Sequence, residues 1–92
     1  MAQPQIGHAT QTVGTSAILL FEAPTTSGQI QLYIDNEGGS KVYLGGSDVA
    51  VSGDLEGYNM DNGEKLSMVL NGGEQIHAIS ASSSKVCMLW TY

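Results

Sequence analysis

Basic side chains are scarce in this 92-residue chain: three Lys and Arg stand against nine Asp and Glu, a formal net charge of −6. Nucleic-acid binding draws on clustered cations that release counterions from phosphates, so nucleic acid is not expected as a partner. An anionic membrane surface is disfavoured for the same reason. Cysteine is nearly absent too. Cys87 cannot form an intrachain disulfide and excludes a zinc site built on several thiolates, which suits a reducing cytoplasm. Within "KVCMLW" it reads as a small buried hydrophobe. Long apolar runs are missing: the clearest is Ala17–Phe21, far below the roughly 20 residues of a membrane helix. The opening "MAQPQIGHATQTV" lacks the basic and then apolar regions of a secretory signal, so no export by that route is expected. Nowhere do apolar residues recur at the helical period over a sustained window.

What is present is alternation. "QIQLYIDN" puts Ile30, Leu32 and Ile34 on one side of a strand and Gln31, Tyr33 and Asp35 on the other. "KVYL" sets Val42 and Leu44 against Lys41 and Tyr43. "EKLSMVL" sets Leu66, Met68 and Leu70 against Lys65, Ser67 and Val69. "KVCMLWTY" sets Val86, Met88 and Trp90 against Cys87, Leu89 and Thr91. "SAILLFEA" and "EQIHAIS" are strand-like as well. Between these runs stand the turn formers "TTSG", "NEGG", "LGGSD", "DNGE", "NGGE" and "ASSS". The pattern predicts an all-β fold, a small antiparallel β-sandwich or barrel of about six to eight short strands. Residues 12–92 form that domain. Residues 1–11, polar and punctuated by Pro4 and Gly7, read as a flexible N-terminal arm, and Ser52–Gly63 as an irregular loop.

"VYLGGSDVAVSG" is the stretch where chemistry could hide. It reads as strand Val42–Leu44 joined to strand Val49–Val51, with Gly45 and Gly46 supplying positive φ and Ser47 and Asp48 bonding nearby amides. A phosphate loop would need a further Gly-Lys-Ser/Thr feeding a helix. A nucleophile elbow would need Gly-x-Ser-x-Gly, and "GGSDV" ends in Val49. A Ser47–His77–carboxylate triad has nothing in its spacing to promote it. The acids and amides of "DLEGYNMDNGE" could hold a weak calcium ion but do not match an EF-hand loop, and a solvated acidic loop is the simpler reading. No catalytic residue, cofactor or metal is expected. The aromatics carry more weight. Tyr33 and Tyr43 point away from the inward faces, and Tyr58, Trp90 and Tyr92 sit in a loop and at the last strand. Tyr and Trp are enriched in contact surfaces, so these five are the candidate partner-binding residues.

"QTVGTSAILL", "QIQLYIDNEGGSKVYLGGSDVAVSG" and "GEKLSMVLNGGEQIHAISASSSKVCML" together resemble a small β-sandwich module of tailed-bacteriophage virion proteins. The resemblance runs from about Thr12 to Leu89, and its most specific part is the ungapped Val42–Val49. The acidic insertion and the "WTY" ending depart from it. It implies a phage structural protein on the capsid exterior: a head decoration (cement) protein that binds the major capsid protein. Self-association, as a trimer on a local threefold axis, would help so small a chain bury surface. The alternative is a carbohydrate- or receptor-binding module of a tail or head fibre, with Trp90, Tyr58 or Tyr92 as stacking platforms.

Overall fold

The computed structural model describes residues 6–26 and 28–91. Eight strands follow one another along the chain: β1 Ile6–Val13, β2 Ile18–Glu22, β3 Gln29–Asn36, β4 Val42–Gly45, β5 Tyr58–Met60, β6 Lys65–Asn71, β7 Gln75–Ser80 and β8 Ser84–Thr91. They form two four-stranded sheets, in the orders β1-β8-β3-β6 and β2-β7-β4-β5, and every strand pairing is antiparallel. The chain changes sheet at each connection except β4 to β5. An eight-stranded sandwich wound in this order is a jelly roll.

Alternation explains which faces meet. Ile30, Leu32 and Ile34 of β3, Val86 and Met88 of β8 and Leu70 of β6 are buried on one inner face. Val42 and Leu44 of β4, Met60 of β5, Ile76 and Ala78 of β7 and Leu20 of β2 meet them from the other. Branched aliphatic side chains, with Met60 and Met88 filling the gaps, interdigitate here as sandwich cores require.

Two turns use one local design. In Asp61–Glu64 the Glu64 amide donates to the Asp61 carbonyl (3.0 Å), and the Glu64 carboxylate accepts from the Asp61 amide (2.5 Å). In Asn71–Glu74 the matching distances are 3.0 and 2.6 Å. Gly63 and Gly73 hold φ near +87° and +89° at the third position, which a type II turn requires and a side chain resists.

Asn36 ties the two layers together. It is fully buried at the end of β3, where its side-chain amide donates to the Ser40 carbonyl (2.8 Å) and to the Met60 carbonyl of β5 (2.9 Å). Its side-chain oxygen accepts from the Ser84 hydroxyl of β8 (2.6 Å). A buried amide of this kind is tolerated because its hydrogen-bonding groups are met.

Four expectations need correction. The arm assigned to residues 1–11 does not extend to Gln11: from Ile6 onward the chain is β1, paired with β8 from Ile6↔Thr91 to Val13↔Ser84. The inward positions of β1 are Gly7, Ala9, Gln11 and Val13; only Val13 is a large apolar residue, so no alternation shows over Ile6–Gln11 and backbone pairing decides. Residues 1–5 lie outside the described residues. Val49–Val51 is not a strand; Ala50 makes an isolated bridge to Glu56. Gly45 and Gly46 do not carry positive φ. Space explains Gly45 instead, since a Cβ there would stand 3.0 Å from Val49 Cγ2. Val49 folds back as a buried plug, its amide bonded to the Gly46 carbonyl at 3.0 Å. Finally, Tyr58–Met60, inside the expected irregular loop, is β5.

Candidate functional site

The outer face of the β1-β8-β3-β6 sheet is built in rows that the register fixes. One row runs Ile6, Thr91, Gln31, Val69 and the next His8, Leu89, Tyr33, Ser67. Ile6 is 71% exposed, Val69 51%, Tyr33 45% and Leu89 44%. Leu89 lies directly opposite Tyr33, and Ile6 and Val69 are their diagonal neighbours, so the four form a contiguous apolar checkerboard. Isolated exposed apolar residues are ordinary, whereas a contiguous group on one sheet face is the feature by which an interaction surface is sought. An open groove of about 430 Å³ crosses this face past His8, Tyr33, Asp35, Lys65, Cys87 and Leu89.

The third row, Thr10, Cys87, Asp35 and Lys65, turns ionic. Lys65 Nζ lies 3.3 Å from Asp35 Oδ1. A hydrogen bond from the Glu37 carboxyl, followed by the Lys65 ammonium, holds Asp35 below its usual value. The same shared hydrogen bond and the charge of Asp35 push Glu37 above its own. One proton between two carboxyls is the physical cause of both shifts. Cys87 is not the buried hydrophobe expected: it is half-buried on the outward side, where Thr10 Oγ1 donates to its sulfur at 3.8 Å.

The five aromatics expected to bind a partner do not gather. Tyr33 belongs to the checkerboard. Tyr43, half-buried, faces out from the second sheet between Ile79 and Asn59. Tyr58 is 65% exposed at the β5 edge, beside the gap between the sheets. Trp90 is turned inward and packs on Phe21, with ring centroids 4.8 Å apart. Its indole covers Gly7, where any Cβ would overlap the ring. Tyr92 lies outside the described residues. Ile6, Val69 and Leu89 were missed as site residues. The alternation of β6 and β8 already turns Val69 and Leu89 outward, but aliphatic type carries no binding signal of its own in a sequence.

The other candidate chemistries take structural places. Asp61 pairs with Lys41 at 3.5 Å, Glu64 caps its own turn, and Asn62 accepts from the Gly39 amide at 2.9 Å. Among the described residues no three His, Cys, Asp or Glu side chains are grouped to hold a metal ion. His77 lies opposite Leu19 and Gly45, with Nδ1 buried and without a hydrogen-bond partner among the described residues. A catalytic histidine needs that nitrogen oriented by a third group.

No protein-family model matches this sequence, and a search of curated proteins finds no match. Among solved structures, the chain is similar to one from Bacillus endospore appendages, reported as a novel family of disulfide-linked pili. The TM-score is 0.58 at 12% identity, over 98% of this chain and 86% of that one. The likeness is one of fold: a small all-β sandwich.

Proposed function

We propose that this protein is a structural component of a tailed-phage virion, a decoration protein that binds the outer surface of the major capsid lattice and stabilises the mature head. The observation that carries the reading is the exposed checkerboard of Ile6, Leu89, Tyr33 and Val69 on a sheet of otherwise polar outward residues. Two further features support it. One is the resemblance over Thr12–Leu89; the other is the jelly roll itself, an architecture that recurs in viral coats, an argument from fold analogy. The role is that of a binding module with no chemistry of its own. A net charge of −6 favours the exterior over a DNA-facing lumen, where packed phosphates would repel it.

The mechanism is linkage. If shell expansion brings capsid subunits into the arrangement that accepts this face, bound protein stabilises the expanded state by RT ln(1 + [L]/Kd), about 2.7 kcal/mol at a hundredfold excess over Kd. Small oligomers, trimers on a local threefold axis, would multiply the contact. The fibre-module alternative loses one of its three platforms, because the Trp90 indole lies over Gly7 and packs on Phe21, while Tyr58 stays exposed.

The test is co-sedimentation with expanded capsids and unexpanded shells of the cognate phage. Selective recovery with expanded capsids is expected, and Leu89→Glu should abolish it without changing the thermal melt. Equal recovery with both particles, or none with either, would overturn the reading.

A further inference from the structure

The two long sides of the sandwich are closed differently. On the β1/β2 side Gln11 Nε2 donates to the Leu19 and Leu20 carbonyls at 3.3 and 3.1 Å, and Trp90 packs on Phe21. On the β5/β6 side the sheets part. Leu66 and Met68 lie on the inward side of β6 but are half-exposed. Across from them stand Leu44, Gly45, Tyr58 and Ile76, around a cleft of about 300 Å³.

The strand bordering this cleft lacks the usual protection of an edge. Natural edges carry prolines, bulges or inward charges that discourage a further strand. β6 has seven residues, no Pro or Gly, and an unbroken register with β3 from Lys65↔Asp35 to Asn71↔Gln29. Its one charge, Lys65, is at the very start and is paired with Asp35. Carboxylates bracket the strand instead: Glu64 immediately before it and Glu74 three residues after it, each fixed by its own turn amide. The edge is therefore a strand with an apolar inward side, Leu66, Met68 and Leu70, and a held carboxylate beyond each end.

We propose that this edge binds an extended segment of a partner protein by strand addition to β6. The segment would carry aliphatic side chains at alternate positions, to fill the cleft, and a Lys or Arg at each end, to meet Glu64 and Glu74. Main-chain hydrogen bonds supply the affinity and the alternate side chains the specificity. A second copy of this chain is the poorer occupant, because an antiparallel copy sets its own Glu64 and Glu74 beside these two. The inference concerns the free edge and inward side of β6, which shares only the outward Val69 with the checkerboard, and it does not depend on the virion reading.

The test uses the full chain and two end-capped peptides, Lys-Val-Thr-Ile-Thr-Val-Lys and the same sequence with glutamate at both ends. Backbone amide shifts of β6 should move on titration with the lysine peptide, with affinity about tenfold above that of the glutamate peptide, as two exposed ion pairs allow. Met68→Lys, which puts an inward charge on the edge, should abolish binding. E64Q/E74Q, which keeps the carbonyl that accepts each turn amide, should level the two peptides even if Met68→Lys fails to fold. The proposal is overturned if neither peptide binds, if both bind equally to the unaltered protein, or if the shifts fall around Tyr33 and Leu89. Self-association through β6 without peptide would also overturn it. No capsid enters the experiment, so its failure leaves the virion reading untouched.

Discussion

Replacing Asn36 with alanine should break the tie between the two sheets. The substitution removes two donors and one acceptor from a fully buried site. The Ser40 carbonyl is half-buried and can turn to water. The Met60 carbonyl and the Ser84 hydroxyl, in residues 2% exposed, cannot. A buried polar group left unmet costs about 1–3 kcal/mol, so these two together give a loss of about 2–6 kcal/mol. Against a total of roughly 5–14 kcal/mol for a chain of this length, that is a severe change.

Urea denaturation followed by circular dichroism reads it directly. With a slope of about 1 kcal/mol per molar, the midpoint should fall by at least about 2 M. Ser84→Ala alone should cost less, since it leaves the two amide donors in place. The double substitution should cost clearly less than the sum, because the second removal finds its partner already gone. A loss below about 1 kcal/mol for Asn36→Ala, or additivity within about 0.5 kcal/mol, would refute the assigned network.

Gly7→Val should drive a side chain into the Trp90 indole and cost about 1–3 kcal/mol, with a shifted tryptophan emission; unchanged emission would mean that the ring is not seated there. Gly73→Ala forces a side chain to φ near +89° and should cost about 1–2 kcal/mol. Gly46→Ala, with ordinary φ and its nearest neighbour Asp48 Oδ1 at 3.6 Å, should stay within about 0.5 kcal/mol; denaturation midpoints distinguish the two. In a carboxyl-detected NMR titration Asp35 should ionise before Glu37 as pH rises, and Lys65→Ala should raise Asp35. The signs follow from linkage: stability from Asp35 is lost as pH falls through its depressed value, and that from Glu37 as pH rises through its raised one. Simultaneous titration of the pair at ordinary values would contradict the shared proton. Deleting residues 1–11 should lower the melting temperature, because it removes six of the eight residues of β1; an unchanged melt would restore the arm.

The sequence made β3, β4, β6 and β8 legible for one reason. Each lies with one face on the core, so burial imposes a strict two-residue period on side-chain type. β1 follows another rule. Its inner face is shaped by what it must admit, and a Gly opposite an indole looks like a loop residue until Trp90 is seen above it. The Gly45–Gly46 pair misled in the opposite direction. Gly45 resembles a turn former but makes room for the Val49 plug, and Gly57, which carries no turn signal, is where a Cβ would stand 2.5 Å from the Leu44 carbonyl. Local composition reports backbone freedom, whereas close approach is a tertiary fact.

The same distinction governs the surface. Residue type drew attention to aromatics, but a contact surface is a set of neighbours, and neighbours on a sheet are fixed by pairing register between distant strands. Tyr33 becomes part of a patch only because β8 places Leu89 beside it, with Ile6 and Val69 at the diagonals. Trp90, the most conspicuous aromatic in the chain, is withdrawn by one step of the same alternation that exposes Leu89. A one-residue slip of β8 would exchange the two, burying the aliphatic face and presenting the indole. The exposed apolar patch and the core are thus set by a single choice of register, and Gly7, by admitting the indole in only one of the two settings, helps to make it.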